Sequence, residues 1–358
     1  MKPTPLISAL TLLAAAMPLV AAGGGPTVVP AALAAIRPVG ARRGETLPFT
    51  LPGIHLQGAT EVVFDDPAIT GSVAPGGNAN TAQVTATIGS SARRGIHRVH
   101  LRTPLGTTGS VAFAVGDWPE LAEQEPNDKN PTEIAFPATL TGTIGSPGDV
   151  DVFGFSARAE QELVFEVVAQ PLGSTLVSVL TLESADGRVL AEARGRLGRL
   201  DAVLGWRCET PGRYLLKIHD FENKSGGGVF YRINAGEFRY VTAHFPLGIR
   251  AGTIGEIHLQ GFNLGEAQRT VTAPVDTSRD ALLPLPEPDD RYVVQPVRVA
   301  VGREPERSEA EATGLLPLPV AVHGRIARAG EADEFRFRAR RGEPLILEVM
   351  ARRVGSPL

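Results

Sequence analysis

Apolar positions along this chain recur with a period of two. Val111, Phe113 and Val115 alternate with small residues, the spacing of a half-buried strand. The run from Asp151 to Ala157 alternates in the same way. Leu163, Phe165, Val167 and Ala169 line one face of the next run, and Leu176, Leu180 and Leu182 line the one after it. Tyr214, Leu216 and Ile218 follow Pro211-Gly212. Shorter runs at 61–64, 83–88 and 97–102 also read as strands. Turn-forming groups separate them: Asp65-Asp66-Pro67, Pro75-Gly76-Gly77-Asn78, Arg94-Gly95 and Pro104-Leu105-Gly106. Short alternating runs punctuated by Gly, Pro and Asp predict an all-β chain of small antiparallel sandwiches.

The pattern is written twice. The segment from Gly142 to Leu176 returns as Gly324 to Leu358 at a constant offset of 182 residues, without a gap. Asp151/Asp333, Phe153/Phe335, Phe155/Phe337, Glu166/Glu348 and Gly173/Gly355 are identical. Positions expected to face the core are kept or exchanged for similar residues in the second copy: Phe335, Phe337, Ala339, Leu345, Leu347, Val349 and Ala351. Outward positions drift to charge, Gly154 to Arg336 and Ser156 to Arg338, as a solvated face would. A weaker echo links Pro38, Gly40, Arg42 and Gly44 to Pro246, Gly248, Arg250 and Gly252, and Ala114-Val115-Gly116 to Ala300-Val301-Gly302. A modular array follows, of order A–B–A–B. The expected divisions are 26–117 (A1), an acidic linker 118–131, 132–236 (B1), 239–303 (A2), a linker 304–312, and 313–358 (B2). B2 stops where the first copy has about 60 residues still to run, so it is expected to be incomplete and the chain to be the front part of something longer.

Composition narrows the class. The chain has 358 residues, 43% hydrophobic, with 40 Gly, 29 Pro and a net charge of −4. That suits packed β cores and gives no field to attract nucleic acid. Residues 1–22 read as a secretory signal peptide: Lys2, an apolar core from Leu6 to Ala16, Pro18, then Val20 and Ala22 as the small residues before cleavage at Gly23. The expected location is outside the cytoplasm, secreted or at the cell surface or periplasm, with no membrane span after cleavage. Cys208 is the only cysteine. It excludes an internal disulfide and is expected on a strand as a buried, inert thiol.

The residues ahead of and inside B1 carry a resemblance. Glu123-Gln124-Glu125-Pro126-Asn127-Asp128, Gly148-Asp149-Val150-Asp151-Val152-Phe153-Gly154-Phe155, the run Leu180–Leu190 with Asp186-Gly187, and Pro211-Gly212-Arg213-Tyr214 resemble the bacterial pre-peptidase C-terminal domain. The A unit, by its Pro-x-Gly-x-Arg-x-Gly opening and late Gly-x-His-x-Val strand, looks like an IPT/TIG-type immunoglobulin-like module. The resemblance implies a jelly-roll-like sandwich for B and an Ig-like one for A. It also implies a non-catalytic domain of the kind that accompanies secreted proteases and cell-surface proteins.

The candidate chemistry is acidic. Glu123, Glu125, Asn127 and Asp128 place four oxygen donors within six residues, and Asp149 and Asp151 come from a neighbouring strand start. Calcium takes six to eight such oxygens. The resemblance points the same way, since similar domains in bacterial collagenases bind calcium through a comparable linker. The competing reading is a turn at Pro126-Asn127-Asp128 with solvated linker charge. In the second copy Glu304-Pro305 is followed by Glu306 and Arg307, so calcium is expected at the first B unit only. The seven histidines show no ligand spacing, and they read as surface or edge residues. No Gly-x-Ser-x-Gly is found. Gly226-Gly227-Gly228 reads as a hairpin loop, not a phosphate cradle. The expected function is a non-catalytic spacer or binding array for an extracellular protein or polysaccharide surface. The alternative is an accessory region of a secreted hydrolase, a peptidase, whose catalytic domain follows Leu358.

Overall fold

The computed structural model describes residues 29–127, 130–195, 200–265, 267–276, 281–284 and 297–356. The signal-peptide reading, Asp128 and most of the Pro-rich loop after Pro284 lie outside the described residues. The chain is all-β, a series of two-layer sandwiches.

The first sandwich contains β1 (Ala32–Leu33), β2 (Gly40–Arg42), β3 (Thr46–Ile54), β4 (Glu61–Phe64), β5 (Ile69–Asn78), β6 (Thr81–Ile88), β7 (Gly95–Thr103), β8 (Gly106–Thr107) and β9 (Val111–Gly116). Its sheets run β1-β3-β6-β5 and β2-β9-β7-β4, the strand order of an immunoglobulin-like sandwich. Phe49, Leu51, Val84, Val99, Leu101 and Phe113 fill the space between them. The Pro75–Asn78 turn expected from sequence is absorbed into β5, which pairs with β6 through a register shift between Ala74 and Asn78. The chain reverses at Ala79-Asn80 instead. His97, read as a surface or edge residue, is buried: its ring nitrogens meet Asp65 Oδ1 at 2.8 Å and the Arg93 carbonyl at 2.7 Å. Those two partners remove the cost of burying its polar atoms.

The second sandwich is the largest. It comprises β10 (Glu120–Ala122), β11 (Thr132–Glu133), β12 (Ala138–Thr143), β13 (Asp151–Ala157), β14 (Glu162–Val167), β15 (Ser178–Ser184), β16 (Val189–Arg194), β17 (Val203–Arg207), β18 (Gly212–Asp220) and β19 (Phe230–Gly236). The sheets are β10-β12-β19-β14-β17 and β11-β13-β18-β15-β16. Phe153, Phe155, Leu163, Phe165, Leu180, Leu182, Leu216 and Ile233 are fully covered between them. Cys208 lies one residue past β17, buried, with Sγ toward the Thr210 carbonyl. The triple-glycine segment joins β18 to β19, which belong to different sheets. It is therefore a crossover and not a hairpin loop.

A third group holds β20 (Tyr240–Phe245), β21 (Gly248–Arg250), β22 (Ile254–Phe262), β23 (Gln268–Thr272), β24 (Ala281–Pro284) and β25 (Arg298–Gly302) in sheets β20-β22-β23 and β21-β25-β24. Its start repeats the first sandwich. Tyr240 pairs with Phe262 as Ala32 pairs with Ile54, and β21 runs parallel to β25 as β2 runs parallel to β9.

The last group has β26 (Glu306–Ser308), β27 (Leu315–Leu316), β28 (Ala321–His323) and β29 (Arg336–Phe337). Here the expected inward residues are largely uncovered: Phe335 is 39% exposed, Leu347 73% and Val349 78%. In the first copy the same face is closed by β15 to β19, for which 324–358 has no counterparts.

The sandwiches are packed against one another and not strung as beads. On β14, Leu163, Phe165 and Val167 point into the core, but the outward Val164 and Glu166 are buried too. The outer face of this sheet is covered at one end by the first sandwich, through Val39, Ala112 and Ala114 against Val168, Leu172 and Phe230. At the other end Tyr240 and Phe262 pack with Val164 and Val203. Trp118, from the linker entering B1, packs on Phe238, from the connector leaving it, at 5.0 Å between centroids.

Candidate metal centre

The linker is drawn into the sheet. β10 adds to β12 as a parallel edge strand, pairing Glu120 with Thr139 and Ala122 with Thr141. The Glu123 amide then donates to the Thr141 carbonyl at 2.9 Å, which carries the Glu123 side chain across the end of β12. There the Thr143 amide donates to Glu123 Oε1 at 2.7 Å, and the Tyr231 hydroxyl donates to Oε2 at 2.5 Å.

Three carboxylates converge at this point. Oxygens of Glu123, Glu125 and Asp151 all lie within 4.8 Å of one another. Asp151 opens β13 and is completely buried. Asn127, also fully buried, sits between the acids: its Nδ2 donates to Glu125 Oε1 at 3.0 Å and to Asp151 Oδ1 at 3.1 Å, while its Oδ1 accepts the Val152 amide at 3.0 Å. The amide thus bridges two carboxylates that would otherwise repel. Asp151 Oδ2 is buried with no hydrogen-bond partner among the described residues.

The electrostatics follow from burial. Asp151 is pushed up to about 7, first by loss of solvation and then by its contact with Glu123. Glu125 is raised by burial and by Asp151. The Tyr231 hydroxyl is held well above its ordinary value, by burial first and then by the two acids. A divalent cation would reverse this balance, because it favours every ionised carboxylate around it. Three clustered carboxylates, one with a buried oxygen that has no hydrogen-bond partner among the described residues, match what a hard, oxygen-seeking cation takes.

Of the sequence candidates, Glu123, Glu125 and Asp151 are brought together, and Asn127 holds two of them in place. Asp149 is not in the cluster. Its Oδ2 accepts the Gly145 amide at 2.6 Å, closing its own loop. Asp128 lies outside the described residues. Tyr231 is not among the sequence candidates. A signal was available in Gly142, identical to Gly324 in the second copy. A Cβ at Gly142 would overlap both Glu123 Oε2 and the Tyr231 hydroxyl, so only glycine leaves room for the pair.

The structure also corrects the alignment of the second copy. Glu306 pairs with Ala321 as Glu120 pairs with Thr139. The Arg325 amide donates to Glu309 Oε2 at 2.8 Å, as Thr143 does to Glu123. The counterparts of Glu123 and Glu125 are therefore Glu309 and Glu311, not residues 304–307. The connection to the next strand is four residues shorter, since Glu125 precedes Glu133 by eight positions and Glu311 precedes Leu315 by four. That deletion leaves no place for an Asn127. Glu311 instead accepts the Ser308 amide at 2.9 Å in a capping box, and Glu309 and Asp333 are exposed.

No family model matches the chain, and no curated protein matches it. Among solved structures, the pre-peptidase C-terminal domain of a collagenase from Bacillus anthracis is similar at 17% identity, over 34% of this chain and 99% of that one, with a TM-score of 0.24. SGBP-B of a Bacteroides ovatus mixed-linkage glucan utilization locus, in complex with a mixed-linkage heptasaccharide, is similar at 10% identity, over 50% and 71% of the two chains, with a TM-score of 0.19. The secreted serine protease VesC of Vibrio cholerae is similar at 10% identity, over 58% and 50%, with a TM-score of 0.22.

Proposed function

We propose that this chain is a secreted, non-catalytic, multi-domain surface protein whose B1 sandwich binds calcium at the linker that joins it to A1. The observation that carries the calcium site is Asp151: a fully buried carboxylate, one oxygen without a partner among the described residues, facing Glu123 and Glu125. Glu123, Glu125 and Asp151 would hold the ion, and Asn127 and Tyr231 would orient the acids. The ion would fix β10 to the edge of B1 by joining linker carboxylates to the first residue of β13. Rigid sandwiches joined this way present their outer surfaces at set distances, which suits a spacer or a binding array for a protein or polysaccharide surface.

Thermal unfolding of the purified chain in calcium, magnesium or chelator tests the site. Calcium should raise the melting temperature more than magnesium, which demands stricter octahedral geometry. Replacing Asp151 by Asn should abolish the rise. An equal calcium response in wild type and Asp151→Asn would refute the site. Retention on collagen, chitin, cellulose or peptidoglycan tests the array role. Saturable binding to one of them supports a binding function, and absence of retention on all four leaves spacing as the role.

A further inference from the structure

Arg232 lies on β19 with its side chain on the outer face of the sheet, where solvent would be expected, yet that side chain is only 2% exposed. Its Nη2 and Nε donate to Glu120 Oε1 at 2.6 and 3.2 Å, and its Nη1 donates to Asn234 Oδ1 at 3.2 Å. Asn234 in turn donates to the buried Glu166 at 3.0 Å. The guanidinium fits against A1 because two A1 residues have no side chain. A Cβ at Gly40 would stand 2.6 Å from Arg232 Nε, and one at Gly116 would stand 2.8 Å from Nη2. Gly40 is on β2 and Gly116 ends β9, the neighbouring parallel strand. Around this notch the contact is apolar, and Arg37 stacks on Phe230 at 4.7 Å.

The same three residues recur in A2. Gly248 on β21 and Gly302 at the end of β25 occupy the places of Gly40 and Gly116, and Glu306 on β26 occupies that of Glu120. The short 3₁₀ turn 352–354 contacts β25 as the turn 170–172 contacts β9. One docking geometry is therefore encoded twice.

We propose that the paired glycines of an A unit form a notch for an arginine borne on the outer sheet face of the following B unit and held there by the linker glutamate on that same sheet, and that Arg232 in this notch fixes A1 and B1 as one rigid body, with or without the cation. A planar guanidinium suits the role. Its donors reach a carboxylate and an amide at once, and its flat faces fit between backbone segments that carry no Cβ. Arg232 and Glu120 stand on one B1 sheet, so docking of A1 takes an ion pair already formed on that sheet out of water and seats it in the glycine notch, where removing either partner would strand the other as a buried charge.

The test uses the whole chain with Arg232→Met, Arg232→Lys and Gly116→Ala, followed by small-angle scattering, limited proteolysis and calorimetry in calcium and in chelator. Wild type should scatter as a compact A1–B1 pair and melt the two units together in both conditions. Arg232→Met and Gly116→Ala should extend the particle, let A1 melt separately, and expose the 118–131 linker to cleavage about tenfold faster. Arg232→Lys should fall between, because an ammonium keeps the charge and loses the planar fork. Gly116→Ala leaves the B1 core untouched, so it stays informative if Arg232→Met fails to fold. The calcium response of Gly116→Ala should persist, which separates this proposal from the metal site. Unchanged scattering and a single transition in Gly116→Ala and in folded Arg232 variants would overturn it.

Discussion

At Asp151 burial and a neighbouring carboxylate act in the same direction, and both favour the proton. Its folded-state value, about 7, stands well above the ordinary carboxylate value of about 3.9. The folded chain therefore binds a proton that the unfolded chain releases between those limits. The stability tied to this proton is fully present below pH ~4 and is lost as pH rises through ~7. Without calcium, the melting temperature should fall as pH rises from ~4 to ~7 and level off above it, by an amount worth on the order of a few kcal/mol. With calcium the fall should vanish, because the ion replaces the proton. Asp151→Asn should be insensitive to both pH and calcium over this range, and a pH series of melting curves checks all three. Gly142→Ala should cost about 1–3 kcal/mol in urea unfolding by forcing Glu123 and Tyr231 apart, with loss of the calcium response.

At the scale of the element, β10 joins the two functions of the linker. Glu120 on one end meets Arg232, and Glu123 just past the other end meets Tyr231. Leu121→Pro should remove the ladder bond its amide makes and lift the strand from β12. The expected outcome is a folded B1 with weakened calcium binding, seen as a lower melting-temperature rise at equal calcium. The period-two pattern made β13, β14 and β18 legible, since Phe153, Phe155, Leu163 and Phe165 alternate regardless of what the neighbouring units do. It made Glu123, Glu125 and Asp151 legible as a set of acids. It could not show that Asp149 closes its own loop, because two acids one residue apart on a strand start look alike until the backbone turns. Nor could it show the burial of Val164, Glu166 and Arg232. Those positions alternate as a solvent face, and only the packing of A1 and A2 on that face removes them from water. The shift of the second-copy acids to Glu309 and Glu311 was hidden for another reason: a deletion in a loop moves the register without disturbing the strands on either side.

At the scale of the whole molecule, the first A–B pair is an Ig-like sandwich docked on the outer sheet face of a larger sandwich, with the connecting strand pinned between them, and the pairings of β21 with β25 and of β26 with β28 echo its start. The first copy carries the buried acid cluster with its bridging amide. The second keeps the two glutamates and Asp333 but has lost the four residues that supply Asn127. The measurement that bears most directly on this account is calorimetric titration of the metal-free chain with calcium at pH 8. The account expects a single saturating site per chain, present in wild type and absent in Asp151→Asn. No binding at millimolar calcium, or the same isotherm in both proteins, would contradict it.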